Sequence, residues 1–175
     1  MKVCIVGNSD NLLTSNLGKV IDSFDEVIRI NDFVIAGFEE HIGSKTTVIS
    51  GGFSSTSNMV KGNYPTSPLL HECNVWVVHP DSSRINRVLF AGVDASNLTV
   101  IDRETYSFLQ NDVYKDFWRN IPSVGIGTIL MALIEFKNAE IFIAGFDNNT
   151  GKEGKGHYYQ RDFILLVMTG DQKII

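Results

Sequence analysis

The sequence predicts an α/β fold, a single three-layer domain over residues 1–175 built around a mainly parallel sheet. Six short runs rich in β-branched residues have the pattern of strands, and they alternate with segments whose apolar residues recur every three or four positions. Such alternation of strands and helices favours parallel strands. The length of 175 residues and the apolar share of 43% allow one well-buried core but are short for two domains.

The predicted elements follow each other along the whole chain. Helical spacing is seen at Leu12–Ile21, Arg103–Phe117 and Gly125–Phe136, with Thr14 or Ser15 available to cap the first of these helices. Residues 50–68 and 147–156 are polar, rich in glycine and without periodicity, which indicates loops. The predicted strands are Val3–Val6, Glu26–Ile30, Thr46–Ile49, Val75–Val78, Leu98–Ile101 and Ile141–Ala144.

Composition and charge exclude several classes of protein. The 11 Phe, 5 Tyr and 2 Trp argue against disorder, and no apolar run approaches the roughly 20 residues of a membrane span. A net charge of -5 without a basic cluster argues against a nucleic-acid partner. No signal peptide is recognised, so we expect a cytoplasmic location. Cys4 and Cys73 lack metal-ligand spacing and are expected to be buried thiols.

One predicted strand end and one predicted helix start carry residues suited to ligand binding, and open α/β sheets bind ligands at the carboxyl ends of their strands. The first strand breaks into the turn 7–11, whose amides and short polar side chains can hold a phosphate or a sugar. Neither GxGxxG nor a Walker loop is present, and an ordinary strand-turn-helix explains this turn equally well. Ser123 stands at the start of an apolar helix, where the helix dipole favours an anion, although plain capping is the alternative.

The four histidines divide into two groups. His41, His71 and His79 have no obvious partners in the sequence, and we assign them surface or structural roles. His157 differs because it follows a glycine-rich segment and opens the run His157-Tyr158-Tyr159.

The spacing of these residues resembles the motifs of the eukaryotic-type sialyltransferases, which use CMP-sialic acid. Pro122-Ser123-Val124-Gly125 resembles the short sialyl motif, with Val124 in place of threonine, and His157-Tyr158-Tyr159 resembles the third motif. Residues 42–47 are similar to the segment that follows the long sialyl motif. The first 31 residues resemble the long motif itself at Val6–Ser9, Asn11, Leu12, Ser15, Gly18, Lys19, Ile21–Ser23, Asp25, Val27, Arg29 and Asn31.

The resemblance implies a Rossmann-like, GT-A-variant-like sialyltransferase core. It implies an inverting, metal-independent transfer of sialic acid from CMP-sialic acid to a glycan acceptor, with no separate cofactor and no metal site. His157 would stabilise the leaving phosphate, with Tyr158 in support. By the same resemblance, the donor would be bound by Asn8, Ser9, Asn31, Ser123 and Gly125.

Several charged motif positions fit other roles. Asp22, Asp25 and Arg29 match the long motif, but an ion pair or a helix cap suits them at least as well as ligand contact. Asp10 replaces the usual glycine of the family, which puts a carboxylate near an anionic donor.

The sequence departs from the family in its cysteines and its last residues. Cys4 is out of register with one family cysteine and Asn138 replaces the other, so the disulfide between the family's long and short motifs cannot form. No histidine follows His157, although the family's base is a histidine of a fourth motif. Residues 161–175 are atypical. The codons for 168–173, read one base earlier, can encode His-Asp-Trp-Gly-Pro-Glu with the spacing of that motif, which suggests a frameshift after Gln160 as one hypothesis.

The missing base leaves other functions open. The first alternative is a catalytically impaired module that binds CMP or a nucleotide sugar. A plain doubly wound domain with another nucleotide ligand is the second alternative. Residues 51–119 carry no recognised motif, and we expect acceptor choice to reside there.

Overall fold

A computed structural model describes residues 1–63, 65–115, 121–146 and 167–168. In this part of the chain one sheet has the strand order β5-β4-β3-β2-β1-β6-β7, with all neighbours parallel except the antiparallel pair β6 and β7. The predicted α/β fold with a mainly parallel sheet is therefore confirmed. The strands are β1 (Lys2–Val6), β2 (Glu26–Ile30), β3 (Val48–Gly51), β4 (Asn74–Val77), β5 (Leu98–Val100), β6 (Glu140–Ala144) and β7 (Val167–Met168).

The direction of winding reverses at β1. Val3 of β1 pairs with Glu26 of β2 on one side and with Ile141 of β6 on the other. Strands β2 to β5 extend the sheet away from β1 in one direction, whereas β6 lies on the opposite side. The segments that follow β1 and β6 remain hydrogen-bonded to each other, since the Gly7 amide donates to the Ala144 carbonyl at 2.7 Å. Doubly wound sheets bind ligands in the crevice at the carboxyl edge beside such a reversal point.

Helices connect these strands, and two of the α-helices begin at aspartate caps. Asp81 accepts from the Arg84 amide, and Asp102 accepts from the Thr105 amide at 2.8 Å. The helices are α1 (Gly18–Asp22), α2 (Glu39–Ile42), α3 (Ser82–Phe90), α4 (Arg103–Phe108) and α5 (Val124–Glu135), with a π-helix at Leu109–Val113 and 3-10 helices at Asp10–Thr14, Ser67–His71 and Ala95–Asn97.

The predicted helix Leu12–Ile21 is wrong as a single element. A 3-10 helix ends at Thr14, and α1 begins only at Gly18. Asn16 lies between them with a φ of 52°, in the left-handed region that ends a right-handed helix. Ser15 is not the cap of α1, since its hydroxyl donates to the Leu12 carbonyl, and the N-cap position is taken by Leu17, which makes no capping bond.

Other element boundaries differ from the predictions more locally. The third predicted strand lies at Val48–Gly51, so it takes two residues of the predicted loop 50–68. The predicted helix from Arg103 is α-helical only to Phe108, and the remaining predicted loop 147–156 lies outside the described residues. Helix α3 was not predicted, although an aspartate cap and apolar residues three positions apart, Ile85 and Val88, were a usable signal.

Apolar side chains on both faces of the sheet create three layers. Val3 and Ile5 of β1 pack on one face with Met131 and other residues of α5. Cys4 and the alternate residues of β1 point to the opposite face, under Ile21 of α1. Because both faces of the sheet are covered by helices, the buried residues of β1 that point to either face are apolar.

Both cysteines are free and buried, as predicted. Burial raises the pKa of the Cys4 thiol to about 12, against a smaller lowering effect of Arg29. Burial, with a contribution from Glu72, raises the pKa of Cys73 to about 11. Both thiols are therefore neutral near pH 7.

The three charged motif residues form hydrogen bonds with backbone groups. Arg29 is 1% exposed, and its Nη2 donates to the carbonyls of Ile42 and Gly43 at 2.9 and 3.0 Å. Asp22 accepts the backbone amide of Ser44 at 2.8 Å. Asp25 accepts the amide of Lys2 at 2.7 Å. These contacts favour the structural interpretation of Asp22, Asp25 and Arg29 over ligand contact.

Candidate functional site

A cleft of about 700 Å³ opens at the carboxyl ends of the central strands. Its walls come from the segments that follow β1, β2, β3, β4 and β6 and from the first turn of α5. Its position at the reversal point of the sheet is the usual ligand position of doubly wound folds. The residues predicted to bind the donor, Asn8, Ser9, Asn31, Ser123 and Gly125, all line this cleft.

Asn8 ties the end of β1 to the end of β2. Its Nδ2 donates to the Ile30 carbonyl at 3.0 Å and to the Asp32 carbonyl at 3.1 Å. The amide nitrogen of Asn8 is thus engaged by the backbone of the neighbouring strand end. Asn8 shapes the crevice between these two strands, and its predicted hydrogen bond to CMP stays a prediction.

Asn31 turns the chain over the cleft. Its φ of 56° is in the left-handed region, which asparagine tolerates better than most residues. The backbone amide of Asn31 donates to the Ser50 carbonyl at 2.8 Å, so the turn is anchored on β3. The next residue, Asp32, accepts from the Ser57 hydroxyl at 2.8 Å and from the Asn58 amide at 2.9 Å, which fixes the far wall of the cleft.

The first turn of α5 forms the wall opposite this turn. Ser123 caps the helix by accepting from the Ile126 amide at 3.3 Å, and the Tyr114 hydroxyl donates to the same oxygen at 3.0 Å. A Cβ on Gly125 would lie 2.7 Å from Cε1 of Phe146, so glycine lets this ring close against the helix. The first amides of a helix lack partners within it and carry partial positive charge, which favours an anion in the cleft.

His79, just after β4, and Arg84, in the first turn of α3, line the cleft but were not assigned to the site by the sequence analysis. His79 is 6% exposed, and its Nδ1 lies 2.9 Å from the Tyr106 hydroxyl. Burial and the nearby charge of Arg84 lower the pKa of His79 to about 4, against an opposing effect of Asp81. Arg84 pairs with Asp81 at 2.6 Å and donates from Nη1 to the Gly52 carbonyl. The signal available in the sequence was the position of His79 just after a strand.

Not every predicted site residue can be placed. His157 and Tyr158 lie outside the described residues, so their catalytic roles stay predictions. Among the described residues, no three His, Cys, Asp or Glu side chains come together as metal ligands. Within the same residues, no helix combines the length and the apolar character that crossing a membrane requires. The absence of a metal requirement likewise stays a prediction.

The doubly wound sheet and its cleft at the reversal point define an α/β protein with a ligand-type cleft at the carboxyl edge of its sheet. Residues 1–90 match the family model of glycosyltransferase family 29 (sialyltransferase). This match covers just over half of the 175 residues, and the chain belongs to that family. The resemblance noted in the long motif is thereby confirmed.

Curated relatives agree with this assignment. The mouse CMP-N-acetylneuraminate-beta-galactosamide-alpha-2,3-sialyltransferase 4 is 25% identical over 95% of this chain and 56% of its own length. The human CMP-N-acetylneuraminate-beta-galactosamide-alpha-2,3-sialyltransferase 1 is 50% identical over 46 residues, which are 26% of this chain and 14% of that protein. The chain thus spans about half the length of the first of these relatives.

Solved structures share the fold. A mammalian sialyltransferase superimposes with a TM-score of 0.64 at 22% identity, over 97% of this chain and 62% of its own. A mammalian sialyltransferase in complex with Gal-beta-1-3GalNAc-ortho-nitrophenol gives a TM-score of 0.64 at 21% identity, over 85% of this chain and 56% of its own. The predicted sialyltransferase-like core is confirmed at the level of fold.

Proposed function

We propose that the protein transfers sialic acid from CMP-sialic acid to a glycan hydroxyl, with inversion at the anomeric carbon and without a metal ion. Family membership supports the donor class, and the names of the relatives support a galactoside acceptor. The observation that carries the proposal is the cleft at the reversal point, because five separate motif residues and the first turn of α5 line it together.

Each wall of the cleft has a chemical task in this proposal. Asn8 and Asn31 keep the ends of β1 and β2 in the arrangement that receives the cytidine part of the donor. Ser123 and Gly125 present the amides of α5 to the phosphate. Negative charge grows on this phosphate as the glycosidic bond breaks. Hydrogen-bond donors that already point at the phosphate therefore lower the activation barrier of the transfer. We assign His157 and Tyr158 to the same leaving group.

The acceptor hydroxyl must lose a proton to a base. The printed sequence has no histidine after His157, so the family's usual base has no counterpart in it. This observation favours one alternative function, a catalytically impaired module that binds CMP or a nucleotide sugar. The cytoplasmic location expected from the sequence also stays a prediction.

The decisive experiment supplies the full chain with CMP-sialic acid and a galactoside acceptor. Sialylated product, free sialic acid and bound nucleotide are measured in the same samples. Formation of the product supports the transferase, whereas nucleotide binding without transfer or donor hydrolysis supports the impaired module. A chain that neither binds CMP nor forms product refutes both.

Substitution of His157 tests the proposed catalytic step. We expect His157→Ala to reduce kcat far more than it reduces CMP affinity, because the imidazole acts on charge that develops in the transition state. His71→Ala is the matched control, since His71 is exposed and lies outside the residues that line the cleft. Equal loss of kcat and CMP affinity in His157→Ala contradicts a leaving-group role.

A further inference from the structure

A second polar cluster lies at the β4 side of the cleft. A Cβ on Gly52 would lie 3.0 Å from Cδ2 of His79, 3.1 Å from Nη1 of Arg84 and 3.3 Å from Cγ2 of Val124. The imidazole, the guanidinium and the first residue of α5 therefore surround one small space, which stays open only because residue 52 is glycine. The motif resemblance gives neither His79 nor Arg84 a role.

The imidazole of His79 is held in one orientation. Its Nδ1 is engaged by the Tyr106 hydroxyl at 2.9 Å, and the two rings meet edge to face with centroids 5.6 Å apart. The imidazole has no second hydrogen-bond partner within the described ranges, although His79 is buried and lines the cleft. When Tyr106 donates to Nδ1, the neutral ring carries its proton on Nε2 and has that N–H available for a ligand.

Arg84 holds a positive charge beside this ring. Its Nε pairs with Asp81 at 2.6 Å and its Nη1 donates to the Gly52 carbonyl, while the side chain as a whole is 25% exposed. Its charge contributes to the lowered pKa of His79, which shows that the imidazole lies within the field of the guanidinium.

Two carboxylates oppose an anion at this place, and both are engaged by other groups. Asp81 pairs with Arg84 and caps α3. Asp32 lines the same cleft, and its carboxylate accepts three hydrogen bonds, from the Ser57 hydroxyl and the amides of Asn58 and Met59. Both carboxylates are therefore already hydrogen-bonded, whereas Nε2 of His79 and Nη2 of Arg84 have no hydrogen bond to any described residue.

We propose that His79 and Arg84 bind an anionic group of the donor, a phosphate or a carboxylate, and that Tyr106 is a positioning residue for the imidazole. The inference rests on the proposed function, because CMP-sialic acid carries both groups beside the bond that breaks. A guanidinium and an imidazole N–H that donate to one anion form charge-assisted hydrogen bonds. Val124, the first residue of α5, borders the same space.

The test compares ligands that differ in charge. Calorimetry on the full chain measures the affinities of three ligands. CMP supplies the phosphate, N-acetylneuraminate supplies the carboxylate, and cytidine supplies neither group. We expect His79→Gln and Arg84→Gln each to weaken CMP binding about tenfold and to leave cytidine binding unchanged. A loss confined to N-acetylneuraminate supports the proposal as well and identifies the carboxylate as the bound group.

Arg87→Gln is the matched control. Arg87 lies one turn further along α3 and donates to the Phe53 carbonyl at 3.2 Å, so it anchors the same backbone segment as Arg84 but does not line the cleft. We expect this variant to bind all three ligands as the unmodified chain does. A loss equal to that of Arg84→Gln shows that anchoring of the segment, rather than anion contact, explains the effect, and it overturns the proposal.

The role of Tyr106 has its own readout. In Tyr106→Phe the hydroxyl that fixes the tautomer is gone, and the ¹⁵N chemical shifts of His79 are expected to move toward a mixture of tautomers while CMP affinity falls. A purely structural role leaves those shifts unchanged, and unchanged shifts overturn the positioning role. Arg84 is partly exposed, so its variants are expected to fold even where a His79 variant does not.

The outcomes separate this inference from the proposed function. If the unmodified chain binds CMP and both Arg84→Gln and His79→Gln keep all three affinities, the inference is overturned and the proposed function stands. If the unmodified chain binds none of the three ligands, both are overturned. If nucleotides do not bind but N-acetylneuraminate binds through Arg84, the anion site is supported and the use of a CMP donor is not.

Discussion

Replacement of Arg29 by methionine should destabilise the fold strongly. The guanidinium is 1% exposed and donates to four oxygens, the carbonyls of Ile42, Gly43 and Lys45 and the Thr46 hydroxyl, over distances of 2.9 to 3.2 Å. Burial lowers the pKa of Arg29 to about 10, against raising effects of Asp22 and Cys4, so it is still charged at pH 7. It joins β2 to the segment that follows α2.

The magnitude follows from the acceptors that the variant leaves behind. The hydrogen bonds to Ile42 and Gly43 are buried, and a buried acceptor without a partner costs about 1–3 kcal/mol. Two such acceptors cost about 2–6 kcal/mol, and removal of a buried cation offsets part of this. We expect Arg29→Met to lower the free energy of unfolding by about 3 kcal/mol, because methionine keeps the apolar contacts but donates nothing.

Urea unfolding followed by circular dichroism measures this change. Arg29→Lys is expected to lower the free energy of unfolding less than Arg29→Met does, since the ammonium keeps the charge and can still donate. It is still expected to lower stability, because the ammonium cannot reproduce the planar set of N–H donors of the guanidinium. Arg103→Met is the matched control, because Arg103 is exposed at the start of α4 and its loss should change stability by less than about 0.5 kcal/mol. A loss below about 1 kcal/mol in Arg29→Met would refute the reasoning that the four acceptors depend on this side chain.

Three further outcomes are expected. Asn8→Ala removes the two hydrogen bonds that join the ends of β1 and β2, so calorimetry should show CMP affinity about tenfold lower, and unchanged affinity contradicts this role. Gly127→Ala would place a Cβ inside the van der Waals contact of Val78 Cγ1, so urea unfolding should show a free energy of unfolding lower by about 1–3 kcal/mol. An unchanged midpoint counts against tight packing of α5 on the end of β4. Cys4 and Cys73 should resist a thiol reagent at pH 8 until the chain unfolds, because burial raises their pKa values to about 12 and 11; rapid labelling of the folded chain argues against this burial.

The class of fold could be predicted because strand and helix patterns are local. Six strands were placed correctly to within two residues, and Glu26–Ile30 was placed with its observed bounds. The helix Leu12–Ile21 failed because the spacing of its apolar residues does not reveal the left-handed backbone at Asn16. Helix α3 was missed although Asp81 provided a cap, since few positions of this helix are apolar.

The site was predictable only in part, for a different reason. Asn8, Asn31 and Ser123 were identified because the family motifs contain them, and the sheet brings all three to one cleft. His79 carried no such signal. Its place in the cleft depends on the pairing of β3 with β4, and its neutral state depends on burial beside Arg84.

The sequence by itself determined the alternation of strands and helices, the likeness to the sialyltransferases and the residues of the donor motifs. Tertiary structure alone decided that β1 and β6 are neighbours, that a cleft opens at the carboxyl ends of the central strands and that His79 and Arg84 meet there. The physical reason is that propensity and spacing act over a few residues, whereas strand order, burial and the pKa of a buried group depend on segments far apart in the chain.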